Sequence, residues 1–307
     1  MALLDATARG VFIIAVTPFT EDGALHLDGV GRLMDFYLSH GVTGVTILGM
    51  MGEAPKLSAG ESRAFVEVVC RHLDGRIPVV VGVSSPGFAP MRELADVAMG
   101  AGAAGVMVAP PGTVRTDAQI LDYFQSAAEA LGDIPFVLQD FPLATGVQVA
   151  PGVICEIVRR LPTCVMLKHE DWPGLNKITA LREAESGDGR RISILAGNGG
   201  IFLPEELGRG ADGAMTGYAY PEMLVEVCRL HATGKFDAAS DLFDAHLPLA
   251  RYEQQPGVGL AVRKHVLARR GAIASSRQRK PGGSLSALEV GEVERLIARL
   301  AQRLHGI

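Results

Sequence analysis

Residues 41–48 read GVTGVTIL, two glycines that lead directly into an apolar run. The same joint recurs as GAAGVMVA at 102–109 and as GADGAMTG at 210–217, each time between a helical pattern and an apolar segment. The first glycine of each pair can adopt the left-handed conformation that ends a helix, and the second allows a tight turn into a strand. Three copies of one helix-to-strand joint predict a repeated α/β architecture.

Short apolar runs recur on both sides of these joints, with helical patterns between them. The runs are nearly continuous in hydrophobicity, as is typical of parallel strands covered on both faces. Eight strand–helix units in roughly 220 residues match the size of a closed barrel. We therefore predict an α/β fold, a (β/α)8 TIM barrel over residues 1–222. The predicted strands are Val11–Val16, Val42–Leu48, Pro78–Val83, Gly105–Ala109, Pro135–Leu138, Cys164–Leu167, Ile192–Ala196 and Ala211–Thr216.

After about Pro221 the hydrophobic period becomes helical and stays so. We interpret residues 223–307 as a helical extension packed on the barrel, forming one structural unit with it. Its basic stretch, Arg263–Lys280, is interpreted as a solvated helix face or a subunit contact, with an anion or RNA patch as the alternative. Gly100–Gly105 satisfies the dinucleotide-binding GxGxxG pattern, but it follows a helix and opens a strand, so it is predicted to be a helix exit.

Composition excludes several classes of protein. The formal net charge is −5 and 48% of the residues are hydrophobic, so nothing draws the chain to nucleic acid or to an anionic membrane. The first ten residues lack the pattern of a signal peptide, and no apolar run approaches a membrane span of roughly 20 residues. The four cysteines form no CxxC pair. We expect a cytoplasmic protein without a metal site.

In barrels of this type the chemistry lies where strands end. The sixth apolar run ends in Lys168, followed by His169 and Glu170. Burying an ammonium is unfavourable, and burial lowers a lysine pKa toward the neutral amine that attacks carbonyls. Lys168 is therefore a candidate nucleophile. The alternative is a lysine that reaches the rim or pairs with Glu170 or Asp171.

Other strand ends supply candidate binding groups. The turn Gly49-Met50-Met51-Gly52-Glu53 could present backbone N–H groups to a carboxylate, or be an ordinary turn. Gln139 or Asp140 could reach the barrel mouth, although Asp140 might instead cap the next segment. Asn198, Thr216 and Gly217 follow the last two strands and are candidate substrate contacts. The glycine-rich strand ends suggest, as an alternative, a phosphate-binding site for a phosphosugar substrate. The absence of an accompanying arginine or lysine disfavours this alternative.

Four segments together resemble the family of dihydrodipicolinate synthase and N-acetylneuraminate lyase. They are Val16–Phe19, Gly49–Glu53, Leu138–Pro142 with the following Thr145-Gly146, and Leu167–Glu170. The resemblance implies a barrel with C-terminal helices, a homotetramer or dimer, and a Schiff base between Lys168 and pyruvate or another 2-oxo acid. It implies no metal or organic cofactor.

The chain departs from that family at the expected partners of the lysine. Met50 and Met51 stand where the family has two threonines, Gln139 where it has a catalytic tyrosine, and Ala144 where the synthases have an arginine. Pro110–Gly112 stands where a further tyrosine is expected. Glutamine can orient water or a hydroxyl, but it cannot act as a phenolic acid or base.

One branch of the family is more similar. Gln139-Asp140-x-Pro142, a glutamate two residues after the lysine, Gly213–Gly217 and Gly271–Ser275 resemble the L-2-keto-3-deoxyarabonate dehydratases. The resulting hypothesis is a dehydratase or aldolase of a 2-keto-3-deoxy sugar acid, with Glu170 or His169 as the acid/base. The alternatives are a 4-hydroxy-tetrahydrodipicolinate synthase that condenses pyruvate with aspartate semialdehyde, and a 2-oxo-acid-binding protein that has lost catalysis.

Overall fold

The chain folds into a closed barrel of eight parallel strands in a computed structural model that describes residues 2–187 and 189–305. Each strand pairs with the next, and the last closes on the first. All eight overlap the predicted apolar runs, so the predicted barrel is confirmed. The strands are β1 Gly10–Ile14, β2 Gly44–Ile47, β3 Val79–Gly82, β4 Gly105–Val108, β5 Phe136–Asp140, β6 Cys164–His169, β7 Ser193–Ala196 and β8 Gly213–Ala214.

Helices alternate with the strands and cover the outside of the barrel. Ser58, Thr116 and Ser286 each begin a helix with a capping box, the side-chain pattern that satisfies the first free N–H groups. Within the described residues, no helix is both long and apolar enough to cross a membrane. The helices are α1 Val30–Ser39, α2 Ala59–Leu73, α3 Phe88–Gly100, α4 Asp117–Leu131, α5 Pro142–Thr145, α6 Pro151–Arg160, α7 Leu175–Ser186, α8 Leu203–Gly208, α9 Pro221–Ala232, α10 Phe236–Glu253, α11 Gly259–Arg269 and α12 Ala287–Leu304.

The repeated glycine joints behave as the sequence predicts. Gly41, Gly102 and Gly210 have φ of +75°, +94° and +95°, the left-handed region in which a side chain is strained. A Cβ on Gly105 would lie 2.7 Å from the carbonyl oxygen of Pro135, so the second glycine allows close strand packing there. Since α3 ends at Gly100 and β4 begins at Gly105, the GxGxxG segment is a helix exit.

Strand residues alternate between the barrel interior and the helix layer. The interior is filled by one apolar cluster that includes Ile14, Met107, Met166 and Met215, and a larger cluster fills the space between strands and helices. The register of β5 with β6 places Gln139 opposite Lys168 and Asp140 opposite His169. Side chains of each pair therefore share a face.

The C-terminal extension begins later than the predicted boundary. Helix α9 packs on β1 and β8, so it completes the barrel, and the boundary after residue 222 falls inside it. The extension proper starts at Phe236 with α10, which packs against α9, α11 and α12. The interpretation of Arg263–Lys280 as a solvated face is wrong for Arg263 and Lys264, which are 2% and 0% exposed.

Candidate active site

Lys168 lies near the carboxyl end of β6 on the face that points into the barrel, two residues after the interior Met166. It is 5% exposed. Gln139, its partner in the register of β5, is buried on the same face. The structure therefore brings these two predicted site residues together at the mouth of the barrel.

Glu170, the first residue beyond β6, joins Lys168 and Gln139 to form the lysine cluster. Its Oε2 lies 3.0 Å from the Lys168 Nζ and accepts a hydrogen bond of 2.7 Å from the Gln139 Nε2. The side-chain amide of Asn198 donates to the Glu170 backbone carbonyl at 2.6 Å. A Cβ on Gly197 would lie 2.8 Å from the Glu170 Cδ, so this glycine makes room for the carboxylate.

His169 and Asp140 face the helix layer instead. The His169 Nε2 donates to the carbonyl of Gly174 at 3.0 Å, and its Nδ1 lies 3.8 Å from the Asp140 Oδ2. Lys177 donates to Asp140 at 2.8 Å and pairs with Asp171 at 2.6 Å. Of the two acid/base candidates left open by the sequence, Glu170 lies beside the lysine and His169 does not.

The turn after β2 begins with a short 3-10 helix, Met50–Gly52. Gly52 N donates to Gly49 O at 3.0 Å, which leaves the N–H groups of Met50 and Met51 without a partner inside the turn. The Met51 side chain packs against the interior cluster, and the Thr17 hydroxyl donates to the Gly52 carbonyl at 2.5 Å. Thr17 therefore fixes the turn from β1, a role that the sequence reasoning missed.

Glu53 fixes the same turn from the other side. It has the left-handed φ of +56° and is 2% exposed. Its Oε1 accepts from the Lys264 Nζ at 2.6 Å, and its Oε2 accepts from the Lys56 Nζ at 2.8 Å and from the Arg279 backbone N–H at 3.1 Å. Burial lowers the pKa of Lys264 to about 8, and the negative charge of Glu53 acts in the opposite direction by raising it.

A second buried ion pair supports the segment after β8. The Arg263 Nε donates to the Glu253 Oε1 at 2.5 Å, and Ala219 N donates to the Glu253 Oε2 at 3.3 Å. Burial raises the pKa of Glu253, and the Arg263 charge opposes that rise. A Cβ on Gly217 would lie 2.7 Å from the Arg263 Cζ, so the guanidinium packs directly against this backbone.

The other two candidate contacts, Thr216 and Gly217, follow β8. The Thr216 methyl group is 3.6 Å from the position of a Cβ on Gly200, beside Leu224 of α9. The Gly217 backbone is in contact with the Arg263 guanidinium. Both positions also adjoin β1: the Ile14 N–H donates to the Thr216 carbonyl at 2.9 Å, and a Cβ on Gly217 would lie 3.0 Å from the Ile14 carbonyl oxygen.

The cluster of Lys168, Glu170 and Gln139 has the groups needed for amine chemistry. A carboxylate 3.0 Å from an ammonium can accept its proton and leave the neutral, nucleophilic amine. The same carboxyl can then exchange protons with a bound substrate. Within residues 2–187 and 189–305, no three His, Cys, Asp or Glu side chains are grouped as metal ligands.

Comparison with known proteins gives the same family over most of the chain. The model of the dihydrodipicolinate synthetase family matches residues 7–300. An L-2-keto-3-deoxyarabonate dehydratase from Azospirillum brasilense is 31% identical over 278 residues, covering 89% of this chain and 88% of that protein. A 4-hydroxy-tetrahydrodipicolinate synthase from Methanothrix thermoacetophila is 31% identical over 246 residues, covering 79% and 81%.

A solved structure is more similar still. The crystal structure of a dihydrodipicolinate synthase from Rhodopseudomonas palustris is 54% identical, covers 97% of this chain and 100% of that chain, and superposes with a TM-score of 0.95. Members of the family are lyases or synthases that use a Schiff-base mechanism. The match over residues 7–300 and the shared barrel show that this chain belongs to the dihydrodipicolinate synthetase family.

Proposed function

We propose that the protein is a Schiff-base lyase for a 2-oxo acid, a dehydratase or aldolase of a 2-keto-3-deoxy sugar acid. One observation carries the proposal: the Glu170 carboxylate lies between the Lys168 Nζ and the Gln139 Nε2. This places a base beside the amine in a chain that has glutamine where the family's catalytic tyrosine is expected. The acid/base role therefore passes to Glu170, and Gln139 positions it together with a substrate hydroxyl or water.

The proposed reaction starts with attack of the neutral Lys168 amine on C2 of the substrate. The C2 oxygen leaves as water and an iminium forms. Glu170 removes a proton from C3, and the iminium accepts the electron pair to give an enamine. In a dehydratase the enamine then expels the 4-hydroxyl, which leaves as water with a proton from Glu170. In an aldolase the iminium accepts a different electron pair: Glu170 takes the proton of the 4-hydroxyl, the C3–C4 bond breaks to release an aldehyde, and the enamine left on Lys168 is protonated at C3. Hydrolysis of the iminium frees the lysine in either case.

The substrate carboxylate is assigned to the turn after β2. The N–H groups of Met50 and Met51 have no partner inside the turn, and this role needs no side chain. Gly49 begins this turn, and a Cβ on it would be in ordinary contact with the Met107 Cε at 3.5 Å, so its proposed role is through its backbone. Asn198 acts through Glu170, whose carbonyl it holds. Thr216 and Gly217 remain proposed substrate contacts through their backbone.

A second candidate is the synthase reaction on pyruvate and aspartate semialdehyde. The 54% identity to a Rhodopseudomonas palustris dihydrodipicolinate synthase favours it. Ala144 lacks the positive charge that would bind a second substrate carboxylate, and Gln139 lacks a phenolic proton. The A. brasilense dehydratase, similar over 89% of this chain, supports the first candidate.

Borohydride trapping tests the part that both candidates share. The protein is incubated with pyruvate and borohydride, weighed, and digested to locate the modified residue. We expect a single adduct on Lys168. Lys177 and Lys264 serve as internal controls, because both are buried amines held by carboxylates outside the barrel interior. An adduct on either of them, or none at all, contradicts the mechanism.

A substrate panel then separates the reactions. Water loss from a 2-keto-3-deoxy pentonate or hexonate indicates the dehydratase, and release of pyruvate indicates the aldolase. Condensation of pyruvate with aspartate semialdehyde supports the synthase. Binding without turnover of any of these indicates a 2-oxo-acid-binding protein. The predicted homotetramer or dimer is checked on the same sample by sedimentation velocity.

A further inference from the structure

A cavity of about 200 Å³ lies behind the candidate active site, between the segments that follow β6 and β7. It shares a wall with the site, since Asn198 and Gly197 contact Glu170 on one side and border the cavity on the other. Its volume is below the 300–1,000 Å³ of pockets for drug-sized ligands, so it suits a molecule of a few heavy atoms. Neither Lys168 nor Gln139 lines it.

A buried carboxyl group faces this cavity without a partner. Glu206 of α8 is 8% exposed, and its Oε2 has no hydrogen bond to any described residue. Burial, with a smaller effect of the neighbouring Glu205, raises the pKa of Glu206 to about 8. An unsatisfied buried carboxyl is unfavourable, and the proposed reaction does not use it.

Two exposed aromatic rings form another part of the lining. Trp172 and Phe202 are 46% and 40% exposed, and their ring centroids are 5.2 Å apart with planes at 80°. Because the two rings contact each other at the edge of the cavity, they offer an aromatic surface to a ligand there. Aromatic rings attract organic cations through the negative charge of their faces.

The charges around the cavity specify the sign of its ligand. Two of the ten lining residues, Asp171 and Glu206, are acidic, and none of the ten is basic. Asp171 is already paired with Lys177, whose Nζ also contacts Asp140. Glu206 is therefore the carboxyl left for a ligand, and an anion would meet no positive group in the lining.

We propose that this cavity binds a small organic ammonium ion between the Glu206 carboxylate and the Trp172–Phe202 pair. Binding ionises Glu206, whose proton is released to solvent, so affinity falls as the pH drops. The site is distinct from the one that holds the 2-oxo acid, and its occupant would bind in the absence of any substrate.

Trp172 is the sole tryptophan of the chain, so its fluorescence reports directly on the cavity. We expect choline to change its emission saturably at pH 9. The neutral carbon isostere of choline, in which carbon replaces the quaternary nitrogen, should bind at least tenfold more weakly. Because Glu206 must ionise, the affinity for choline should fall about 100-fold between pH 9 and pH 6.

Matched variants complete the test. Glu206→Gln, which keeps the shape of the side chain, should lose at least tenfold in choline affinity and all of its pH dependence. Glu205→Gln removes the same charge from an exposed position of the same helix and should stay within about twofold of wild type at pH 9. Calorimetry with Phe202→Leu should show weaker binding, and thermal melts verify that each variant is folded.

Three outcomes overturn the proposal. They are the absence of saturable binding at pH 9, equal binding of the neutral isostere, and unchanged affinity in Glu206→Gln. If Trp172 emission varies with protein concentration and not with choline, the aromatic pair is a contact between copies of this chain, and the proposal is also wrong. Since no 2-oxo acid is present, these results are independent of borohydride trapping at Lys168.

Discussion

Replacing Lys264 with methionine tests whether the C-terminal helices hold the turn Met50–Gly52, the proposed binding site of the substrate carboxylate. Lys264 is fully buried and donates to the Glu53 Oε1 at 2.6 Å and to the Arg277 carbonyl at 2.8 Å. Its ammonium also lies 4.5 Å from the centroid of the Phe19 ring. Methionine fills a similar volume, so the change removes charge and hydrogen bonds with little change in packing.

The expected loss of stability follows from what remains around Glu53. Removing one partner of a buried ion pair destabilises a protein by about 3–5 kcal/mol. Glu53 keeps the Lys56 ammonium and the Arg279 N–H, so we expect the lower end, about 3 kcal/mol. The turn also loses the support of one charged hydrogen bond, worth roughly 1.5 kcal/mol. We therefore expect the pyruvate concentration that half-saturates the protein to rise on the order of tenfold.

Urea unfolding measures the free energy, and borohydride trapping over a pyruvate series measures half-saturation. Arg269→Met is the matched control on α11, since Arg269 is exposed and its pair with Glu294 is a surface pair. It should change stability by less than about 1 kcal/mol. The reasoning is refuted if Lys264→Met is as stable as wild type, or if its trapping rate falls at saturation while half-saturation stays unchanged.

Three further predictions follow from the site and its supports. Glu170→Gln should slow exchange of the pyruvate methyl protons into deuterated water, measured by NMR, by about 10²–10⁴-fold, and a loss below tenfold would exclude Glu170 as the base. Gly217→Ala should destabilise by about 1–3 kcal/mol because its methyl group would meet the fixed Arg263, whereas Gly100→Ala, in open space, should be neutral or slightly stabilising in the same urea assay. Burial lowers the pKa of His246 to about 4, so between pH 6.5 and 4 the unfolded state binds a proton that the folded state does not, and stability falls as the pH drops through that window. His246→Gln should remove this loss of stability, which is on the order of 3 kcal/mol. An unchanged pH profile of stability would contradict the assignment.

The barrel could be predicted because its signals are local. Each joint, such as Gly41–Gly44, marks within four residues the end of a helix and the start of a buried strand. Apolar runs without alternation then indicate a parallel sheet covered on both faces. The boundary at residue 222 was less accurate, because α9 has the same helical period whether it packs on the barrel or on α10.

The lysine cluster was predictable for a similar reason. Parallel strands deliver their carboxyl ends to one edge, so Lys168 and Gln139 had to lie near each other once their strands were placed. Strand alternation gives a further signal. It separates His169 from Lys168 and returns Glu170 to the face of the lysine, which is the arrangement observed.

The supports of the site could not be predicted, because their partners are distant in sequence. Lys264 and Glu53 are 211 residues apart in sequence, and the sequence around either residue does not indicate their contact. One indirect signal exists in α11, where Leu260, Val262 and Val266 surround Arg263 and Lys264. A helix with apolar residues on several sides is buried, so its charges need buried partners.

These supports give the C-terminal helices a part in the site itself. Lys264 and Arg279 hold the turn after β2 through Glu53, and Arg263 holds Glu253, which accepts from the backbone of Ala219 after β8. The mouth of a barrel is made of loops, which are its least rigid parts. Two of those loops are here fixed by buried ion pairs from outside the barrel, so a change in α11 should affect substrate binding without touching Lys168.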